Sequence, residues 1–206
     1  LRAYTAEIAR VRKRAFRDAA YHGAPVPGFG DPHARVLLVG LAPGAHGSNR
    51  TGRMFTGDGS GEWLYRALHR AGFASSPKAV SRDDGLVLHD AYITAALRCA
   101  PPGNKPTPAQ KKNCFPYLLR EFALLNHVSV IVSLGKIGDD TVVSLLRSIG
   151  AMAVSPVGRF GHGAESRFLL PDGRTIARLA SYHPSRQNTN TGVLTERMLD
   201  DIFLRA

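Results

Sequence analysis

Residues 36–62 read VLLVGLAPGAHGSNRTGRMFTGDGSGE. Val36, Leu37, Leu38 and Val39 form an apolar run without period-two alternation, which reads as a strand buried on both faces, the character of a central parallel strand. The run stops at Gly40. From Leu41 to Glu62 the chain carries six glycines, one proline and two arginines before a helical pattern resumes at Trp63. Such backbone freedom just past the carboxyl end of a strand is where open α/β sheets bind ligands. Glycines let main-chain N–H groups approach a ligand closely, and Arg50 and Arg53 suit its phosphates. The stretch matches neither GxxxxGK[ST] nor GxGxxG, so an ordinary glycine-rich crossover loop is the competing reading.

Downstream of this loop, Trp63, Leu64, Ala67, Leu68 and Ala71 mark a helical face closed by Gly72. A strand is expected over Val87–Leu97, ending beside Arg98 and Cys99, and the loop APPGNKP follows. Thr107-Pro108-Ala109-Gln110 supplies an N-cap, a first-turn proline and a capping-box glutamine, so a helix starts there, and Pro116 is expected to kink or break it. VSVIVSL (128–134) is a third buried strand, and Val142, Leu145, Leu146 and Ile149 mark a helix stopped by Gly150. Arg167–Leu170 and Thr175–Tyr182 read as strands joined by the turn Pro171-Asp172-Gly173, and Leu194, Met198 and Ile202 mark a closing helix. Upstream, residues 1–20 are helix-prone and basic, and a Gly- and Pro-rich loop leads to the first strand. Strands alternating with helices imply a parallel sheet with helices on both faces.

The 206 residues favour one domain spanning 1–206, and 44% hydrophobic residues can bury a full core. Lys and Arg number 27 against 16 Asp and Glu, a formal charge of +11, which favours a polyanionic partner, nucleic acid first and an acidic membrane surface second. No apolar run approaches the roughly 20 residues that span a bilayer, and no signal-peptide pattern opens the chain, so a cytoplasmic protein is expected. Two cysteines, Cys99 and Cys114, are too few for a disulfide framework.

The second informative stretch is SYHPSRQNTNTG (181–192). His183 falls just past a strand's carboxyl end and before a proline that stiffens the turn, which points its imidazole at the crevice of the glycine loop. Ser185, Arg186, Gln187, Asn188, Thr189 and Asn190 follow, polar side chains suited to a nucleic-acid groove. The alternative is a core histidine followed by residues that cap the last helix.

GLAPGAHGSNRTGRMFTGD, YITAALRCAPPGNKPTP and SYHPSRQNTNTG together resemble the three signature regions of the uracil-DNA glycosylase superfamily, in particular its family-five branch of bacteria and archaea. The resemblance runs from about Gly28 to the C-terminal helix. It implies an α/β three-layer sandwich with a central, mainly parallel four-stranded sheet flanked by helices, and a DNA groove across the carboxyl ends of the strands. It also implies a monofunctional glycosylase that flips a damaged nucleotide and hydrolyses its N-glycosidic bond. By resemblance, Phe55 stacks on the flipped base, Gly40 and Leu41 offer it backbone contacts, and His183 hydrogen-bonds to the base oxygen on which charge grows. Ser185 to Asn190 would form the loop that probes the minor groove, and a core role for Phe55 is the alternative.

The departures matter as much. Related families carry an acidic residue in motif one, as in GEAPG or GQDPYH, where this chain has GLAPG, and an asparagine on the second strand where this chain has Ala95. Losing that amide implies a wider range of excised bases, hypoxanthine included. Without the motif-one acid, Asp58 and Asn104 are left to position water; equally, Asp58 could cap the helix beginning near Ser60 and Asn104 a turn before Pro106. A reaction without a general base, and a non-catalytic nucleic-acid-binding protein on the same fold, are the further alternatives. A phosphate-ester enzyme lacks the lysine or clustered carboxylates it needs. Cys99 and Cys114 match the second pair of four thiolates holding a 4Fe-4S cluster in the family. Because the chain begins at Leu1, the first pair is expected upstream, and two ordinary thiols are the alternative. DNA is the expected partner and a monomer the expected state.

Overall fold

The computed structural model describes residues 1–206. Helix α1 (Arg2–Val11) and a 3-10 turn (Arg14–Phe16) lead into the short strand β1 (Phe29–Gly30), and β2 (Val36–Gly40) follows. Helices α2 (Ser48–Thr51) and α3 (Gly59–Arg70) connect β2 to β3 (Ala91–Ala95). Helix α4 (Pro108–Leu124) leads to β4 (Val130–Leu134), and α5 (Lys136–Ser148) to the edge strand β5 (Met152–Ala153). Strands β6 (Glu165–Leu169) and β7 (Thr175–Ser181), a short α6 (Arg186–Asn190) and α7 (Glu196–Arg205) complete the chain.

The sheet runs in the order β1-β3-β2-β4-β7-β6-β5. Its centre, β3-β2-β4-β7, is parallel, as expected, and β1, β6 and β5 extend it antiparallel at the edges. Alternate residues of the buried β2 serve opposite layers. Val36 and Leu38 join the cluster under α3 and α7, and Leu37 and Val39 join the cluster under α4 and α5. From β2 the chain crosses to β3 on one side and then returns past β2 to β4 on the other. The topological switch point therefore lies between the carboxyl ends of β2 and β4, where a crevice opens above the sheet.

Three sequence expectations change. The first helix stops at Val11, because Arg12 turns to φ 58 and its guanidinium donates to the Ala9 and Arg17 carbonyls. The strand expected over Val87–Leu97 is shortened to Ala91–Ala95: Asp90 sits at φ 54 just before it, and Leu88 instead bridges Ala74. Helix α4 continues through Pro116. Pro116 and Lys112, whose carbonyl loses its intrahelical donor, are both exposed, so water can take that carbonyl and the break is avoided. No helix is long and apolar enough to cross a membrane.

Candidate active site

The glycine loop is shaped around one aromatic ring. Phe55 occupies φ 51, a left-handed conformation that a bulky residue adopts only when its surroundings hold it there. Gly61 lets the first turn of α3 sit on the Phe55 carbonyl, since a Cβ there would lie 1.7 Å from that oxygen. Gly40 does the same for the ring, whose edge would be 2.9 Å from an added Cβ. Upstream, the Tyr65 hydroxyl donates to the Met54 carbonyl at 2.9 Å. Arg53 holds the same segment from beneath. It is 3% exposed, pairs with both Asp84 oxygens at 2.7 Å and lies over the rings of Phe29 and Tyr65. Burial alone would raise the Asp84 pKa, but hydrogen bonds from Arg53 and from the Leu86, Val80 and Ser81 N–H groups hold its carboxyl far below the usual range.

The opposite wall is His183, two residues past β7. Its ring lies 5.8 Å from that of Phe55, tilted by 31°. Gly135, the residue after β4, makes room for it: a Cβ there would meet the His183 Cβ at 3.0 Å, and the Gly135 N–H donates to the Ser181 carbonyl. Burial pushes the His183 pKa down to about 4, so the imidazole is neutral near pH 7 and carries one N–H donor. The His183 carbonyl accepts the Ser185 N–H and the Asn188 side-chain amide at 2.8 and 2.9 Å, which fixes the turn. Phe55 over Gly40 and His183 over Gly135 thus face each other across the switch point. Ala95, paired with Gly40, belongs to the same buried cluster as Phe55. The Leu41 carbonyl accepts the Leu97 N–H.

Asp58 lies beside this crevice and caps α3, its Oδ1 accepting the Gly61 N–H at 3.1 Å. Its other oxygen packs on the glycine loop, where a Cβ on Gly47 would lie 2.0 Å away. Burial raises its pKa, partly offset by the Gly61 and Ser60 N–H groups and by the Arg186 charge. Arg186 is exposed and reaches across to Gly59, so the His183 loop and the start of α3 adjoin.

Several expected site residues take other positions. Arg53 cannot face DNA, because it is buried and bidentate to Asp84. Arg50 is tied down as well: it donates to the carbonyls of His46 and Gly57 and lies 4.2 Å above the Phe16 ring. Asn104 is exposed on the turn after β3, at φ 57. Ser185 caps α6, accepting from the Asn188 N–H, whereas Gln187 is exposed, as a residue facing DNA must be. The pairing of Arg53 with Asp84, distant in sequence, left no local signal to find.

Charged side chains stand at both rims of the sheet. At the amino ends, Arg35 pairs with Asp90 and Arg174 with Asp172. At the carboxyl ends, Lys136 pairs with Asp140, but Lys105, Lys112, Arg159 and Arg186 are exposed and stand in no ion pair. The unneutralised cations of the carboxyl rim suit a polyanion.

Cys99 and Cys114 are separate from the crevice. Both line a cavity of about 710 Å³ with Leu1, Val26, Arg98 and Glu121. Both thiols are free, and burial raises the pKa of Cys99. Arg98 Nη1 is buried there without a partner, while its Nη2 pairs with Glu121, which also accepts the hydroxyls of Tyr92 and Thr94. No three His, Cys, Asp or Glu side chains gather as a metal site anywhere in the chain.

The model of the family described as uracil DNA glycosylase superfamily matches residues 27–205. Among curated relatives, the type-5 uracil-DNA glycosylase of Thermus thermophilus is 52% identical over 95% of this chain and 84% of its own length. That of Mycobacterium bovis is 50% identical over 97% of this chain and 72% of its own length. That of Pyrobaculum aerophilum is 42% identical over 94% and 80%.

Proposed function

Because this chain belongs to the uracil DNA glycosylase superfamily, we propose that it excises uracil from DNA by hydrolysing the N-glycosidic bond, leaving an abasic site. The observation that carries this reading is the pair of rings, Phe55 and His183, 5.8 Å apart across the switch-point crevice. A base swung out of the duplex stacks on Phe55 and meets the free N–H of His183. As the bond to C1′ breaks, its electron pair leaves with the base, and charge develops on the base oxygen facing His183. A donor held there in advance is stabilising because it needs no reorganisation as charge appears. The oxygen of a water molecule bonds to C1′. Its two protons end on the base and on the new hydroxyl. A neutral imidazole suits this role, since it donates without needing a proton from solvent.

The finer features belong to the same proposal. Ala95 beside Phe55 leaves no amide to read the base edge, which favours a wider set of substrates, hypoxanthine among them. Asp58 is the carboxylate that rests on the glycine loop and serves as the first candidate for holding water, with the exposed Asn104 as the second. Cys99 and Cys114 share one cavity with an orphaned arginine nitrogen, a donor set that fits half of a four-thiolate 4Fe-4S site. The 206 residues hold two cysteines, so the other two thiolates would come from outside them. Such a cluster would be structural, fastening the start of α1 to the segment after β3. Iron and acid-labile sulfide assays on the full-length protein test it, and absence of both removes the cluster. A cytoplasmic monomer acting on a single damaged site completes the reading.

The test is single-turnover excision at low salt with uracil or hypoxanthine opposite each normal base. Excision of both, lost by orders of magnitude in His183→Ala, is expected. Tight binding with no abasic product would instead make the protein a non-catalytic binder, the reading that Leu41 in place of the motif-one acid favours.

A further inference from the structure

The hairpin between β5 and β6 takes no part in the site described above, yet topology places its tip beside it. Strand β6 runs antiparallel to β7 from Glu165 opposite Leu179, so the chain preceding β6 emerges at the carboxyl rim. The Gly163 N–H donates to the Ala180 carbonyl, and the Ala180 N–H to the Ala164 carbonyl, three residues before His183. On the other arm, Val154 donates to the Arg167 carbonyl, and Arg167 to the Ser155 hydroxyl at 2.7 Å. Residues 156–162 therefore project past the sheet on the same side as His183.

The tip is anchored, not loose. His162 Nε2 donates to the Met198 carbonyl at 3.1 Å, so Nδ1 is the acceptor for the Tyr182 N–H at 3.3 Å. The His162 and Phe160 rings lie 5.3 and 6.0 Å from Tyr182, the residue next to His183. Outward, the tip offers an exposed Arg159 with no acidic partner, flanked by Gly158 and Gly161, around which there is open space. A cation on a firmly held loop with small neighbours permits close approach of a phosphate backbone. Arg186, another unpaired arginine of this rim, stands on the His183 loop, so a polyanion passing His183 would meet both.

We propose that the β5–β6 tip is a second DNA-contacting element, with Arg159 neutralising a phosphate of the strand that flanks the flipped nucleotide. This rests on the glycosylase reading for the identity of the polyanion and the place of the flipped base. Each phosphate neutralised in duplex DNA contributes about 0.9 to the slope of log affinity against log salt. Binding is measured across salt concentrations to a duplex containing a 2′-fluorinated deoxyuridine, whose electron-poor sugar resists cleavage. Arg159→Ala is expected to lower the slope by about 1 and to weaken binding at low salt. Arg147→Ala removes the same charge from an exposed site at the amino end of the sheet and is expected to keep the parent's slope. An unchanged slope in Arg159→Ala, or equal losses in both variants, overturns the proposal. Excision of ordinary uracil by the parent is scored separately: excision with equal slopes sinks the tip alone, and a selective Arg159 effect without excision sinks the glycosylase reading alone.

Discussion

His183, to which a chemical role is proposed, is also a liability to the fold. Its position after a strand end was legible in the sequence, because a histidine followed by proline past an apolar run has few places to go. Its neutrality was not, since it depends on Gly135 and Phe55 closing around the ring. With a folded pKa of about 4 against an ordinary value of 6.5, the unfolded chain binds this proton more readily than the native one. Stability is therefore intact above pH 6.5 and falls as pH drops toward 4, by up to about 1.4 kcal/mol per pH unit within that window. His46 and His162, also lowered by burial, add to the decline in the parent. Urea unfolding at several pH values isolates the ring: His183→Ala is expected to show a shallower decline than the parent. Matching slopes would mean that the imidazole is not held neutral.

At the level of elements, Asp58 bears on two roles that the sequence presented as alternatives, capping α3 and positioning water. The side chain caps α3 and rests on the glycine loop at once, so the cap is established while the chemistry is still to be tested. Substitutions can part them. Asparagine is as good an N-cap as aspartate, so Asp58→Asn is expected to keep stability within a few tenths of a kcal/mol. Asp58→Ala is expected to lose about 1 kcal/mol in chemical unfolding. If the carboxylate holds water, excision by Asp58→Asn falls by orders of magnitude despite the intact cap; a rate near the parent's would leave Asp58 purely structural. The capping box of α4 was readable for a related reason, since Thr107 and Gln110 act over one turn. Pro116 misled because a local rule for prolines takes no account of exposure, and exposure is decided by which side of α4 meets the sheet.

Across the whole molecule, the parallel centre could be read from apolar runs, whereas the polar ties between distant segments could not. The clearest tie lies under the His183 wall. Arg178 of β7 and Asp139 of α5 are 1% and 3% exposed and pair through two bonds of 2.7 and 2.5 Å. Ser133 of β4 donates to the same carboxylate, and Arg178 reaches Ser166 of β6. In sequence Arg178 is one arginine among many, sitting in a strand pattern that asks for an apolar residue. Charges buried this deeply recover their lost hydration only through each other. Asp139→Ala strands Arg178 and is expected to destabilise by about 3–5 kcal/mol. Replacing both, as Asp139→Leu with Arg178→Met, is expected to recover most of that loss, measured by urea unfolding. Equal damage in the single and double variants would mean that packing, not the stranded charge, sets the loss. The double variant also bears on function. The Asp139 N–H donates to the Gly135 carbonyl, and Gly135 packs against His183, so the ion pair lies one residue behind the imidazole. If the double variant is stable yet excises slowly, with the rate of bound substrate reduced and affinity for DNA retained, the pair serves to hold His183 in register with Phe55. If excision recovers together with stability, backbone geometry at Gly135 alone suffices.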